Sequence, residues 1–318
     1  MQQLADQLNI SIGTVSRALS HDPAIAARTR KRVQEAASRL GYRHNLAARA
    51  LITGRTTIIG IHVRNFNSFY VEMALRLERI ISAVGYMAVV HSAPVTTTGW
   101  VPDGEIMLNA FLPLADRGNP PRPLVGSLPH PTEDYVSVDF TTPTAAAIQH
   151  LHSTGCRRIA MLSHAQTIMS QPGSGADPAY VDDRVSTYYR CMEKMQLPIE
   201  DIPLNHGTSL TARETLTRYI LARGNPDALL CHNDDAALGA YRAALDCGLR
   251  VPMDISIIGC DGVEFGDYLA QPLSTIVQPL DERAAQYWKF LVARMKDPTL
   301  PQQRISLPTK LLLRQTSR

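Results

Sequence analysis

Charged and amide side chains directly follow several short apolar runs, and they have the clearest capacity for ligand chemistry in this chain. Asp139 ends the run YVSVD, Asn233 follows DALLCH, and Asp261 follows ISIIGC. Ligands of parallel sheets bind beyond the carboxyl ends of the strands, so residues in these positions are expected to surround one cleft. Together with Arg184, which starts a helix-like run, they suit the hydroxyl or anionic groups of a small polar ligand.

These residues also have structural alternatives. Arg184 could form an internal ion pair, Asp234 is expected to cap a helix rather than bind a ligand, and Trp100 could stack on a sugar or simply pack. Asp139 and Asp261 could act as a carboxylate pair in sugar chemistry. However, the sequence has no phosphate-binding glycine loop, no nucleophile elbow and no metal-type His/Cys spacing. We therefore expect no catalytic residue, no metal and no cofactor.

A second group of polar side chains lies near the start of the chain, in the stretch SIGTVSRALS. Thr14 and Ser16 could donate to phosphates, and Arg17 could contact a guanine edge through two hydrogen bonds. Ile12, Val15 and Leu19 recur at helical spacing. The stretch is therefore predicted to be a helix with an apolar side that packs and a polar side that faces outward.

Three helices are predicted in the first 44 residues. QLADQL forms the first, and Asn9 ends it because asparagine tolerates a left-handed backbone. Ser11 caps the second helix, and the third runs from about Ile25 to Leu40, before Gly41. Two short helices joined by a tight turn are typical of a helix-turn-helix. A three-helix bundle without any nucleic-acid role is the alternative.

The charge distribution favours the nucleic-acid interpretation. Residues 1–55 hold nine Lys or Arg and three acids, whereas the remainder holds 23 Lys or Arg and 26 acids. A basic head on a mildly acidic body is typical of a nucleic-acid-binding module joined to another domain. No apolar run approaches the roughly 20 residues of a membrane helix. The N-terminal sequence does not resemble a signal peptide, so a cytoplasmic protein without a membrane partner is expected.

From Thr57 onward, strand-like runs such as TIIGIHV, YVSVDF, DALLC and ISIIGCD alternate with helix-like runs. Alternation of this kind is typical of parallel sheets with helices on their faces. About 260 residues are enough for two such units. The predicted fold is an N-terminal all-α helix-turn-helix head plus an α/β body of two doubly wound parallel-sheet lobes.

The segments LADQLNISIGTVSRALS and TRKRVQEAASRLGY resemble the DNA-binding head of the LacI/GalR family of bacterial transcription regulators. NLAARAL resembles the family's hinge helix, and TTIIGIHV resembles the first strand of its effector domain. The resemblance implies a helix-turn-helix domain at 1–44, a hinge helix and linker at 45–56, and a two-lobed effector-binding and dimerisation domain at 57–318. The body should be periplasmic-binding-protein-like, with three crossings between lobes, the last before TKLLLRQTS.

The resemblance also assigns residues to two sites. In the hinge, Leu51 matches the residue that inserts between base steps of the minor groove, and the short helix is expected to fold only when something packs it. The implied DNA-binding residues are Ser11, Ile12, Gly13, Thr14, Ser16, Arg17, Asn45, Ala48 and Leu51. The implied effector-binding residues are Phe69, Asp139, Arg184, Asn233 and Asp261.

Three features depart from the family pattern. Ile12 and Gly13 occupy the positions that usually set base preference, so Arg17, the hinge and DNA shape are expected to supply more of the specificity. Ala26 stands where a serine usually caps the third helix. The Pro- and Thr-rich stretch HSAPVTTTGWVPD, between residues 90 and 104, is predicted to be a loop, so one crossover helix of the first lobe should be missing.

Together these features predict a ligand-responsive transcription regulator, a repressor rather than an enzyme. It is expected to be a homodimer that binds double-stranded operator DNA under the control of a small polar effector, such as a sugar or a sugar-like molecule. The alternatives are a cytoplasmic sugar-binding protein and a sugar-acting enzyme, both without gene regulation. The basic head disfavours the first, and the missing catalytic motifs disfavour the second.

Overall fold

The structure is a computed structural model that describes residues 2–19, 22–41, 54–64, 66–92, 101–109, 122–164 and 182–318. Contacts between Cα atoms divide the chain into two units, Met1–Thr57 and Ile58–Arg318. The predicted hinge falls largely on residues 42–53, outside the described residues, so its boundaries remain a prediction. None of the helices in the described ranges is long and apolar enough to cross a membrane.

The first unit contains a helix-turn-helix, as predicted. Its described helices are α1 (Gln2–Leu8), α2 (Ile12–Leu19) and α3 (Ala27–Arg39). Asn9 has a φ of 55°, so it makes the left-handed turn between α1 and α2. Apolar side chains from the three helices and from the turn before α3 form one small core, namely Leu4, Ala5, Val15, Ala18, Ile25, Val33, Ala36 and Ala37.

Helix α3 begins without a side-chain cap. Its N-cap position is Ala26, whose φ of −53° and ψ of 137° are non-helical, and no side-chain oxygen accepts from the first turn. Arg30 holds the preceding turn instead, since its Nη2 donates to the carbonyl oxygens of Asp22 and Ile25, both at 3.0 Å. The start of α3 therefore lacks the hydrogen bond that a serine would provide.

The second unit alternates strands and helices along the chain. Its described elements, in order, are β1 (Ile58–His62), α4 (Ser68–Ala83), β2 (Met87–His91), β3 (Gly104–Met107), β4 (Leu124–Gly126), β5 (Asp134–Asp139), α5 (Thr141–Ser153), β6 (Ile159–His164), α6 (Asp183–Lys194), β7 (Glu200–Leu204), α7 (Ser209–Arg223), β8 (Ala228–Cys231), α8 (Asp234–Asp246), β9 (Ser256–Asp261), a 3-10 helix (Glu264–Tyr268), β10 (Ser274–Val277), α9 (Leu280–Lys296), β11 (Arg304–Pro308) and β12 (Lys310–Leu312).

These strands form two sheets, one in each lobe. Among the described residues, the first-lobe sheet has the order β11-β5-β4-β3-β1-β2 and the second-lobe sheet has the order β12-β10-β9-β8-β6-β7. Neighbouring strands are parallel except for β12, which pairs antiparallel with β10. The chain crosses between lobes after β5, after β10 and between β11 and β12, so the three predicted crossings are confirmed.

The second-lobe sheet is covered by helices on both faces. On β6, Ala160 and Leu162 pack with residues of α7 and α8, whereas Ile159 and Met161 pack with residues of α5 and α6. Successive side chains of a strand point to opposite faces, so this alternation follows directly from the strand geometry. The doubly wound arrangement predicted from the sequence is confirmed for this lobe.

The first-lobe sheet has one strongly apolar face. Ile59 and Ile61 of β1 pack with α4 and with α9, a helix that the sequence analysis did not anticipate. His62, the last residue of β1, is buried. Its Nε2 is 3.7 Å from the carboxylate of the fully buried Glu105 on the neighbouring strand β3. The predicted loss of a helix between β2 and β3 concerns residues 93–100, which lie outside the described residues.

The uncapped start of α3 generates the first prediction. Ala26→Ser should supply the missing acceptor and stabilise α3 by about 1 kcal/mol. Amide hydrogen exchange of residues 27–33, measured by mass spectrometry on the full chain, should become about fivefold slower through rarer local opening. Ala24→Ser, the same change at an exposed position outside the helix, should leave this exchange unaltered. Equal exchange in Ala26→Ser and the parent chain would contradict the missing-cap interpretation.

Candidate functional site

The outward side of α2 carries the residues predicted to contact DNA. Val15 and Ala18 are fully buried against α1 and α3. Ile12 is 42% exposed, so it lies outside the packed side of the helix although its spacing matches Val15 and Leu19, and its predicted contact with DNA remains a prediction. Gly13 and Arg17 are also exposed, which leaves them with Ile12 on the accessible side of the helix.

Hydrogen bonds within α2 fix the start of the helix. Ser11 Oγ accepts from Thr14 N at 3.1 Å and lies 2.9 Å from Thr14 Oγ1, so the predicted cap is confirmed. Arg17 Nε donates to the Gly13 carbonyl oxygen at 3.5 Å, while Ser16 is partly exposed. The other predicted DNA contacts, Asn45, Ala48 and Leu51, lie outside the described residues.

In the second unit, Asp261 ends β9 in a strained backbone conformation. Its φ is 133°, which side-chain-bearing residues rarely adopt, and its side chain is only 3% exposed. Gln278, the residue after β10, donates from Nε2 to Asp261 Oδ1 at 2.7 Å. Burial, and then the neighbouring carboxylate of Asp234, raise the pKa of Asp261 well above its ordinary value.

Arg184 at the start of α6 is held by an internal ion pair. Its Nε donates to Asp182 Oδ1 at 2.8 Å and its Nη2 donates to Oδ2 of the same carboxylate. Its Nη1 donates to the carbonyl oxygen of His232, and its Cζ lies 4.5 Å from the centre of the Phe140 ring. Burial alone would raise the pKa of Asp182, but the guanidinium lowers it below its ordinary value. The ion-pair alternative for Arg184 is therefore present in this structure.

Asn233, rather than Asp234, caps helix α8. Asn233 is the N-cap of α8, because its Oδ1 accepts from Ala236 N at 2.7 Å. Asp234 is fully buried and accepts from Gly262 N at 2.7 Å, from Val263 N at 2.9 Å and from a threonine hydroxyl of β10 at 2.7 Å. The prediction that Asp234 caps a helix is wrong, since its carboxylate ties α8 to the loop after β9.

Asp139 and Phe69 both have local structural contacts. Asp139 Oδ1 accepts from Thr141 N at 2.8 Å, so the carboxylate holds the first turn of α5. Phe69 is only 2% exposed and packs edge-on to Tyr70, with ring centres 5.1 Å apart. It therefore lies within the apolar core of the first lobe, whereas the resemblance had implied a position near the cleft mouth.

Most of the predicted effector residues gather in one region at the strand ends. The hydroxyl of Tyr70 on α4 is close enough to Arg283, Asp261 and Arg184 for their charges to affect its pKa, which burial raises above its ordinary value. Asn233 adjoins His232, whose carbonyl oxygen accepts from Arg184. Asp139 is near Asp183, and the ring of the next residue, Phe140, lies 4.5 Å from the Arg184 guanidinium. In the described ranges, no group of three or more His, Cys, Asp or Glu residues could hold a metal ion.

The sequence analysis missed Gln278 and Arg283. Gln278 directly follows the apolar run LSTIV, so the rule that identified Asp261 would also have identified it. Arg283 lies in α9, where Ala284, Tyr287 and Leu291 recur at helical spacing and are fully buried. That spacing was the available signal for α9, although it gives no indication that an arginine would be buried there.

The two lobes are joined directly across this region. Asp235, the second residue of α8, accepts from Ser68 N at 3.1 Å through Oδ2 and from Ser68 Oγ at 3.0 Å through Oδ1. Farther along α4, Glu72 Oε1 accepts from Glu264 N at 3.4 Å. The first turns of α4 therefore contact the second lobe through charge-assisted hydrogen bonds, which are stronger than neutral ones.

Comparisons with known sequences agree with this architecture. Residues 1–45 match the family model described as bacterial regulatory proteins, lacI family, and residues 148–317 match a periplasmic binding protein-like domain. Catabolite control protein A of Priestia megaterium is 27% identical over 99% of this chain and 98% of its own length. The ribose operon repressor of Halalkalibacterium halodurans is 26% identical over 100% of this chain and 97% of its own length.

Solved structures show the same fold. A lac repressor dimer bound to operator and the anti-inducer ONPF is 22% identical, with a TM-score of 0.75, over 98% of this chain and 97% of that chain. A LacI family regulator of Enterococcus faecium with bound ribose is also 22% identical, with a TM-score of 0.70, over 82% of this chain and 98% of that chain. The predicted periplasmic-binding-protein-like fold of the body is therefore confirmed.

The buried carboxylate of Asp234 generates the second prediction. Burial raises its pKa to about 6, and this outweighs the three hydrogen bonds that favour the ionised form. A raised folded-state pKa means that the carboxyl contributes most stability below its unfolded pKa and loses that contribution as the pH rises through about 6. Asp234→Asn should therefore cost about 1–3 kcal/mol at pH 4.5, and the cost should shrink by pH 7.5.

Urea denaturation of the full chain between pH 4.5 and 7.5 measures this difference in unfolding free energy. Asp235→Asn is the matched control, because Asp235 is less buried and bonds only Ser68 among the described residues. Its cost should be smaller, because its carboxylate is less buried. A constant difference between Asp234→Asn and the parent chain would contradict the proton linkage.

Proposed function

Because the chain belongs to the LacI family of bacterial regulatory proteins, with a periplasmic-binding-protein-like body, we propose that it is a transcriptional repressor whose operator binding is controlled by a small polar effector. The observation that carries the proposal is the combination of a basic helix-turn-helix with a two-lobed body that buries charged side chains at its strand ends. A sugar or a sugar-like molecule is the proposed effector class.

On the DNA side, the exposed face of α2 supports direct contact with bases. Arg17 can form two hydrogen bonds to a guanine, and Ile12 can pack against a thymine methyl group. Exposed basic side chains on the neighbouring α3 supply positive charge for phosphate contacts; they include Arg28, Lys31 and Arg32. Since Gly13 offers no side chain, a large part of the specificity should come from Arg17 and from DNA shape.

On the effector side, the site offers groups of the kind that recognise hydroxyls. We propose that Phe69, Arg184, Asn233 and Asp261 line it and that Asp139 lies at its edge. A carboxylate, an amide and a guanidinium that converge at strand ends suit a polyhydroxylated ligand. One curated relative is a ribose operon repressor, and one similar structure holds ribose, which supports the sugar class.

Coupling between the two sites follows from the lobe contacts. A ligand that binds between Arg184 and Asp261 would change how the second lobe holds α4 through Asp235 and Ser68. We propose that this change reaches the head of a homodimer through the hinge, where Asn45, Ala48 and Leu51 would contact the minor groove. The coupling is reciprocal, so operator must change effector affinity by the same factor as effector changes operator affinity.

The role of Arg17 can be tested with an operator selected from random duplexes. Arg17→Ala should weaken operator binding by at least about tenfold, because a bidentate base contact contributes about 1–3 kcal/mol of discrimination. Binding to a random duplex should weaken much less. Arg39 is an exposed arginine at the end of α3, and Arg39→Ala should weaken binding to the operator and to the random duplex by the same factor. Equal losses in Arg17→Ala would show that Arg17 contacts only phosphate.

Effector control can be tested by a thermal-shift screen of sugars on the full chain. A ligand at a hundredfold excess over its Kd should stabilise the protein by about 2.7 kcal/mol. It should also change operator affinity by about 5- to 150-fold, with the same factor for its own affinity when operator is present. Arg17→Ala should keep the thermal shift, since the substitution lies in the head. Effector affinity that is unaltered by operator would rule out the proposed coupling.

A further inference from the structure

Arg283 is a buried cation beside the proposed effector site. It lies in the first turns of α9 and is only 6% exposed. Its Nη1 donates to Gln278 Oε1 at 2.6 Å, and its Nη2 donates to the carbonyl oxygens of Ser127 at 3.4 Å and Val136 at 3.3 Å. Its Nε is buried and has no hydrogen-bond partner among the described residues, where all the partners of its guanidinium are neutral acceptors.

Two partly buried arginines of this unit are paired with carboxylates. Arg294 forms two hydrogen bonds to Asp134, at 3.0 and 2.8 Å, and Arg184 is paired with Asp182 in the same two-bonded manner. In the part of the chain that the structure describes, no carboxylate oxygen lies within 4.0 Å of the Arg283 guanidinium, although Arg283 is more buried than either. Its charge therefore lacks a direct counter-charge.

This arrangement is energetically costly without a further partner. Removing a guanidinium from water without a counter-ion is unfavourable, and the partial positive charge at the start of α9 adds to that cost. The rings of Tyr287 and Phe69, centred 5.6 and 5.9 Å from Arg283 Cζ, offset only a small part of it. An anionic group placed beside Arg283 would remove the imbalance.

The position of Arg283 places it within the proposed site. Gln278 bridges it to Asp261, because its Oε1 accepts from Arg283 and its Nε2 donates to the carboxylate. Phe69 lies beside its guanidinium, and the hydroxyl of Tyr70 is near Arg283, Asp261 and Arg184 together. A ligand that contacts Asp261 and Arg184 through hydroxyl groups would therefore lie next to Arg283.

We infer that the effector is an anionic sugar derivative, a polyhydroxylated ligand with a carboxylate or a phosphate, and that Arg283 binds its anionic group. The inference rests on the proposed function, since it names the chemical class of that effector. Among the described residues, the Nε–H group of Arg283 has no acceptor, so it can donate a charge-assisted hydrogen bond to one oxygen of a carboxylate or a phosphate.

The charges around the site are consistent with this class. The carboxylate of Asp182 compensates Arg184, and Asp261 accepts a hydrogen bond from Gln278 Nε2. The nearest acids along α9, Asp281 and Glu282, are exposed, and Asp281 pairs with Arg76 instead. Among the described residues, the positive charge of Arg283 thus has no direct counter-charge beside the proposed effector site.

The test compares each neutral sugar with its own anionic derivatives by calorimetry on the full chain. The probes are ribose, ribonate and ribose 5-phosphate, and glucose, gluconate and glucose 6-phosphate, at fixed ionic strength. In at least one series, an anionic member should bind at least about tenfold more tightly than its neutral parent. Preference for ribonate or gluconate identifies a carboxylate as the anionic group, and preference for a phosphorylated sugar identifies a phosphate.

Arg283→Met removes the charge but keeps a long side chain, and it should reduce this preference to within about threefold. Its melting temperature without ligand should not fall, because an apolar residue replaces an uncompensated charge. Should this variant fail to fold, Arg283→Lys keeps the charge without the planar fork and should retain a reduced preference. Arg76→Met, at an arginine already paired with Glu72 and Asp281, is the matched control and should retain the full preference.

Two results would overturn the inference. One is a neutral sugar that binds as tightly as its anionic derivatives in both series, and the other is a lack of binding by every anionic member. If the neutral sugar nevertheless alters operator affinity, the proposed repressor function stands and only the assignment of Arg283 fails. A preference for anions that Arg283→Met leaves unaltered would equally exclude Arg283 as the anion-binding residue.

Discussion

Burial of charge at the carboxyl ends of β8, β9 and β10 is the constraint on which the arrangement of the body depends. A buried carboxylate must find donors nearby, and those of Asp234 come from Gly262, Val263 and Thr275 on neighbouring strands and loops. Gly262 is suited to this place because its φ is 79° and a Cβ there would lie 2.8 Å from Val277. The strand ends are thus fixed relative to one another by the groups that solvate one carboxylate.

The same constraint joins the lobes. Asp235, adjacent to Asp234, is held at the start of α8 and can therefore reach Ser68 on the first lobe. Gln278 connects Asp261 of the second lobe to Arg283 of α9, a helix whose apolar side packs in the first-lobe core. A change of charge or hydrogen bonding at Asp261 should therefore alter contacts in both lobes. The reason is that packed and hydrogen-bonded elements move as units rather than deforming continuously.

Periodicity and turn chemistry were sufficient to predict the helix-turn-helix and most strands, whereas the three lobe crossings were implied only by the resemblance to a known family. They could not assign neighbouring polar residues, since Asn and Asp are equally good N-caps and the structure uses Asn233 rather than Asp234. Helical spacing groups Ile12 with Val15 and Leu19 but does not show which of them is buried, and in the structure Val15 and Ala18 hold α2 while Ile12 is exposed. Arg283 escaped notice because arginines are seldom buried, so no local pattern indicates one.

Arg283, which is buried, and Arg184, which is partly buried, have different partners, and this difference bears on which ligands the proposed site would accept. Arg184 is paired with the carboxylate of Asp182, so a neutral hydroxyl of a ligand can interact with Arg184 without leaving its charge uncompensated. Arg283 has only neutral acceptors, and a neutral ligand that closed over it would leave its Nε buried and unpaired. Rejection of wrong ligands by an unsatisfied buried group is stronger than rejection by a poor apolar fit. For the anionic effector that we infer, discrimination would therefore depend on Arg283 of α9 as well as on the proposed hydroxyl-binding groups at the strand ends.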